Sequence, residues 1–179
     1  RHHLVTAQGI RALVRRNLVT GQTAVIRREL VDHAGDIPDG WVHDEWWALI
    51  AASRDGLMLD PRVFQSYRQH SRNQIGATQS GLARLRERFS EPQQSFRDRH
   101  RRRHEGLRAA LDSPSWSGTE QASSLLRGRL RHYQWQARLP ANHLLRLGPI
   151  LVKVVSGEYS RYRRGLFDAV RDLVQPSGA

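Results

Sequence analysis

The chain has 179 residues, with 29 Lys+Arg against 17 Asp+Glu, a formal net charge of +12 and a pI near 11.5. Hydrophobic residues make up 39% of it, enough apolar material to build a core and to exclude wholesale disorder, and the length suits one domain or little more. The absence of cysteine excludes disulfides, thiolate metal sites and cysteine nucleophiles, and no apolar run reaches the ~20 residues that a bilayer span requires. Every cationic side chain except Lys153 is Arg. Two explanations fit that bias: bidentate recognition of phosphate or carboxylate, and codon usage in a GC-rich genome. The chain opens on Arg1 and its single Met is Met58, so it is expected to be part of a longer translation product.

Taken in chain order, Leu4 to Val19 has Ile10, Leu13, Val14 and Leu18 near helical spacing and predicts a helix. Thr20 to Ile26 joins a glycine to β-branched residues and predicts a short buried strand. Arg27 to His33 predicts a turn or two of helix, and Gly35, Pro38 and Gly40 then punctuate a loop. His43 to Ser53 places Trp46, Leu49, Ile50 and Ser53 on one helical face, with Asp44 and Glu45 in the first turn, where the dipole favours carboxylates. Leu57 to Leu59 and Val63 to Gln69 predict two further strands around the Asp60-Pro61 turn. From Gln79 to about Val174, good helix formers predict three or four helices, divided near Pro114 to Gly118, at Pro140 and at Gly148-Pro149. The sequence thus divides into a mixed α/β block, residues 1–77, and a basic helical block, residues 78–179. Too few strands fall in the first block to close a sheet.

The segments RNLVTGQTAVIRREL, IPDGWVHDEWWALIAA and LDPRVFQSYRQHSRNQIGA, between Asn17 and Ala77, carry a resemblance. In that order they resemble the C-terminal half of the catalytic domain of family 2 glycosyltransferases, in particular bacterial members that build surface polysaccharides. GEYSRYRRGLFDAVRDLVQP resembles the tail of the same enzymes. The resemblance implies a partial GT-A fold, an α/β architecture, lacking its N-terminal half and followed by a mainly helical region. It implies an inverting transferase that moves a sugar from a nucleoside diphosphate sugar to a glycan or lipid-linked acceptor. Asp44 matches the family's general base, and His70, in Tyr67-Arg68-Gln69-His70, the histidine that joins a divalent metal, Mg²⁺ or Mn²⁺. Gly21 matches a glycine-containing segment beside the acceptor, and Trp46 and Trp47, on successive helix positions, point to different sides, so that one is expected to pack inward and the other to present a flat face to an acceptor sugar. The family's Asp-x-Asp element and nucleotide-binding half are absent from these residues, which implies that the chain alone does not bind the donor normally.

The chemistry calls for these residue types. An acceptor hydroxyl attacks the anomeric carbon only once a base within hydrogen-bond reach takes its proton. The departing diphosphate develops charge that a metal stabilises as a Lewis acid. Plainer readings stand beside each assignment: Asp44 as a partner of the helix dipole, Trp46 as core, Gly21 as a turn residue, and His43, Glu45 and Asn73 as orienting, structural or solvated groups.

In the basic block, Arg97 to His104 holds five Arg in eight residues. Leu144 to Val155 is apolar but broken by Arg146, Gly148-Pro149 and Lys153, so it is too short to span. It predicts a helix lying in a membrane interface with its cations outward, with Tyr159 and Tyr162 at the water–lipid boundary. An anionic membrane surface is therefore an expected partner, specific nucleic acid is not, and the expected location is the cytoplasmic side of the plasma membrane. The rival reading is a basic helical nucleic-acid-binding module, which accounts for the charge but leaves the acidic helix start without a role. A metal-dependent hydrolase using His43, Asp44 and His70 is the remaining alternative.

Overall fold

The computed structural model describes residues 6–58, 60, 62–63, 66, 93–140 and 142–174. In chain order the elements are α1 (Thr6–Arg15), a 3₁₀ turn (Gly21–Thr23), α2 (Arg28–Ala34), α3 (His43–Ser53), α4 (Gln93–Asp112), α5 (Glu120–Ala137), α6 (His143–Val155), α7 (Glu158–Tyr162) and α8 (Leu166–Val174). No strand occurs among the described residues, so the expected α/β fold, and with it the partial GT-A architecture, is corrected to a mainly helical one. The strand expected over Thr20 to Ile26 is a 3₁₀ turn flanked by extended, largely exposed chain, with Val25 fully in solvent. β-Branched residues favour a strand only where a neighbouring strand packs on them. Leu57 and Met58 are irregular, and most of Val63 to Gln69, with His70, Asn73 and the block boundary at 77, lies outside the described residues.

α3 is buried nearly all round. Trp46, Ala48, Leu49, Ile50 and Ala52 join Ile10, Leu13 and Val14 of α1, Leu107 and Leu111 of α4, and Leu126 and Leu130 of α5 in one core. That core draws residues from both sides of position 77. Its seams are tied by polar contacts: the Thr119 amide donates to the Ser53 carbonyl at 2.7 Å, and the Thr119 hydroxyl caps α5 through the Ala122 amide.

A second, smaller core joins Leu139, Ile150, Tyr159 and Ala169, where α6, α7 and α8 pack on the end of α5. Gly157 and Gly165 turn the chain between these helices at positive φ, a conformation that glycine adopts without strain. α6 continues across Gly148-Pro149, where a break was expected. Asn142 caps its start, and the buried side chains of Arg146 and Ile150 pin the turns on either side, while Pro149 itself faces solvent.

Two more expectations are reversed here. Arg146 points inward, fully buried, and donates to the carbonyls of Pro140 at 2.5 Å and Asp172 at 3.0 Å. Tyr159 and Tyr162 are likewise buried, and the Tyr159 hydroxyl donates to Asp172 at 3.0 Å. The carboxylate of Asp172 also accepts from Gln136. Arg146, Gln136, Tyr159 and Asp172 are the internal frame of the second core, which is why they are not at its surface, while Tyr162 packs into the first core.

Candidate functional site

The start of α3 brings together residues that lie far apart in the chain. Asp44 sits in the first helical turn, where its Oδ1 accepts from the Glu45 amide at 2.7 Å. Its Oδ2 accepts from the Gly21 amide at 2.9 Å, so the carboxylate holds the 3₁₀ turn against the helix. The approach needs a residue without a side chain: a Cβ at Gly21 would lie 2.9 Å from His43 Nε2 and 3.7 Å from the Asp44 carboxylate. His43 is exposed and stands edge-on to Trp47, with ring centroids 5.5 Å apart. Each oxygen of Asp44 is bound by one donor, which leaves a second lone pair on each to accept a proton or a hydroxyl.

The two neighbouring tryptophans separate. Trp46 is core, edge-on to Trp41, and its indole N–H reaches the Ala34 carbonyl at 3.5 Å. It borders a cleft of about 260 Å³ that is also lined by His33, Ser53, Ser113, Trp116 and Ser117. Asp44, Gly21 and Trp47 do not line that cleft. Trp47 is half-buried, and its indole N–H has no partner among the described residues. His70 lies outside the described residues, and among those described no three His, Asp or Glu side chains are grouped to hold a metal. The Mg²⁺ or Mn²⁺ implied by the resemblance therefore finds no donor set there, and no step below runs through it.

Behind Asp44, Glu45 turns inward and pairs with Arg103 of α4, whose guanidinium lies 4.3 Å from the Trp41 ring. Around this pair gather Arg129 of α5, Arg163 at the end of α7, and His100 and His104 of α4. The Trp41 indole donates to the Arg103 carbonyl at 3.0 Å, which locks α4 to the loop before α3. Burial, then the charge of Arg129, pushes His104 down to about 3, and burial with the charge of Arg163 lowers His100 as well. Both rings are therefore neutral at pH 7. Arg163 pairs with Asp168 at 3.2 Å, and Asp168 in turn accepts from the Arg164 amide and faces Arg171.

Sequence reasoning treated Arg97 to His104 as a charge run and missed this cluster. The signal was present: His100, His104, Leu107 and Leu111 fall at helical spacing, so the apolar face of α4 extends back through the histidines. No protein-family model, curated protein or solved structure matches the chain.

Proposed function

We propose that this chain carries the acceptor-activating part of an inverting glycosyltransferase, with Asp44 as the base, working at an anionic membrane surface. The observation that carries the reading is the Gly21–Asp44 hydrogen bond. Two segments singled out in the sequence for sugar transfer, 23 residues apart, meet there, with His43 and Trp47 beside them. In the reaction the acceptor O–H gives its proton to Asp44, and its oxygen forms the new bond to the anomeric carbon. The bond from that carbon to the diphosphate breaks, and its electron pair leaves with the diphosphate. The Gly21 and Glu45 amides hold the carboxylate in place, so its orientation is set before the acceptor arrives. Trp47 offers a flat edge next to it for a sugar ring.

No helix among the described residues is long and apolar enough to cross a membrane. The membrane part of the proposal rests on the outer faces of α6 and α8, which pack together. Leu144, Leu151 and Val155 of α6 and Leu166, Val170 and Val174 of α8 are all exposed, on a chain of net charge +12. Apolar side chains on a basic protein suit insertion at an anionic interface.

Release of nucleoside diphosphate tests the reading when the chain is joined to the donor-binding half that the resemblance implies, with a panel of nucleoside diphosphate sugars, a lipid-linked acceptor in anionic vesicles and Mg²⁺ or Mn²⁺. Asp44→Asn should abolish release while leaving the helical circular dichroism unchanged, and turnover unaffected by that substitution would refute the assigned base. Leu151→Ser with Val155→Ser should reduce vesicle co-sedimentation.

A further inference from the structure

Among the described residues, Arg129 is the one member of the basic cluster whose charge is unanswered. Arg103 has Glu45 and Arg163 has Asp168. Arg129 is half-buried, and its guanidinium makes no hydrogen bond or ion pair with any described residue. Its position follows from the contacts on either side. One turn further along α5, the Tyr133 ring stacks on His104 at 3.6 Å, which sets this face of α5 against α4 beside Arg103. One residue earlier, Gly128 receives Tyr162, whose hydroxyl occupies the space a Cβ would need, and this brings the end of α7, with Arg163, to the same place. Three guanidiniums from three helices thus converge. Among the described residues, Glu45 is the only carboxylate whose charge acts on Arg129, and it is already engaged by Arg103.

We propose that Arg129, with Arg103 and Arg163, binds a phosphate or diphosphate group. A charge of that kind, left unpaired and partly desolvated, is costly, and folding would select against it unless something occupies the site for part of the protein's working life. A phosphate supplies several acceptor oxygens and close to two negative charges, which match the forked donors of arginine. The side chains of Arg103 and Arg163 are 19% and 12% exposed, so the cluster is largely buried and reaches solvent at its edge. His100 and His104 are neutral at pH 7, so the positive charge here is that of the three arginines. The inference rests on helix packing alone and uses neither Asp44 nor Gly21, so it stands or falls separately from the transfer reading.

The test is a thermal-shift and calorimetric titration with sodium pyrophosphate, with sodium chloride at matched ionic strength as the control. Vesicles carrying phosphatidic acid form a second arm, with phosphatidylcholine vesicles as its control. Expected is a rise in Tm with pyrophosphate beyond the chloride control. Arg129→Gln should weaken binding at least tenfold, and its unliganded Tm should equal or exceed that of the unsubstituted protein, because an unpaired charge has been removed. A purely structural Arg129 would instead lower Tm when replaced. A response to pyrophosphate and not to vesicles assigns the site to a soluble diphosphate, and the reverse assigns it to a lipid headgroup. The proposal is overturned by a pyrophosphate response equal to that of chloride, by binding that Arg129→Gln leaves intact, or by a steep affinity for duplex DNA or RNA that exceeds both phosphate arms and survives the substitution.

Discussion

Lowering the pH from 7.5 to 5 should destabilise this protein, and His104 shows why. Its ring lies between α4 and α5, stacked on Tyr133, and it faces Arg129 of α5, Arg163 from the end of α7 and Arg103 of its own helix. As the neutral ring, it donates from Nδ1 to the His100 carbonyl at 2.6 Å. Folding lowers its pKa from 6.5 to about 3, so between those values the unfolded chain holds a proton that the folded chain does not. Stability is therefore complete above about pH 6.5 and falls as the pH drops toward 3. At pH 5, roughly 1.5 units below the ordinary value, the loss is about 2 kcal/mol, a large part of the ~5–15 kcal/mol by which domains are stable. His100 and His132 are shifted in the same direction, both by burial first, and steepen the fall. Asp168 and Glu158 are lowered from 3.8 and 4.5, so what they contribute is lost only at lower pH and stays outside this window. Urea unfolding followed by circular dichroism at pH 7.5 and 5 measures the difference directly. His104→Phe keeps a stacked ring and deletes the titration, so its pH difference should shrink by about 2 kcal/mol. Equal stability at the two pH values, or an undiminished difference in His104→Phe, would refute this account.

Glu45→Gln should cost about 3–5 kcal/mol in denaturant unfolding, because it strips a buried arginine of its counter-ion and leaves three guanidiniums facing one another. Gly128→Ala should cost about 1–3 kcal/mol, since the added methyl overlaps the Tyr162 hydroxyl and ring. Asp44→Ala frees the Gly21 and Glu45 amides and should lower stability by about 1–2 kcal/mol, whereas Asp44→Asn keeps an acceptor oxygen and should lose less. A thermal melt that ranks those two variants in the opposite order would show that the carboxylate is not what anchors the turn. Trp47→Phe, which removes an indole N–H without a partner among the described residues, should stay within about 1.5 kcal/mol of the parent protein by the same measurement.

Local pattern was enough for much of the helical content. The period of Trp46, Leu49, Ile50 and Ser53, with acidic residues ahead of it, corresponds to α3 at His43–Ser53. Pro114 to Gly118 and Pro140 separate α4, α5 and α6 as their chemistry requires. Asp44 was legible as the head of a helix, and Gly21 as a turn residue, because each depends on neighbours a few residues away. What lay opposite them was not legible. Thr20 to Ile26 has strand-forming residues but no partner strand among the described residues, so it remains irregular. Arg146 reads as an outward cation in an apolar helix, yet it is swallowed by the carbonyls of Pro140 and Asp172. Arg103, Arg129 and Arg163 are 26 and 34 residues apart along the chain, and nothing in their separate surroundings marks them as neighbours. Helix formation is decided by spacing within a few turns. The environment of a charge is decided by which other helices close over it, and only the packed tertiary structure settles that, because burial and Coulomb forces act through space rather than along the chain.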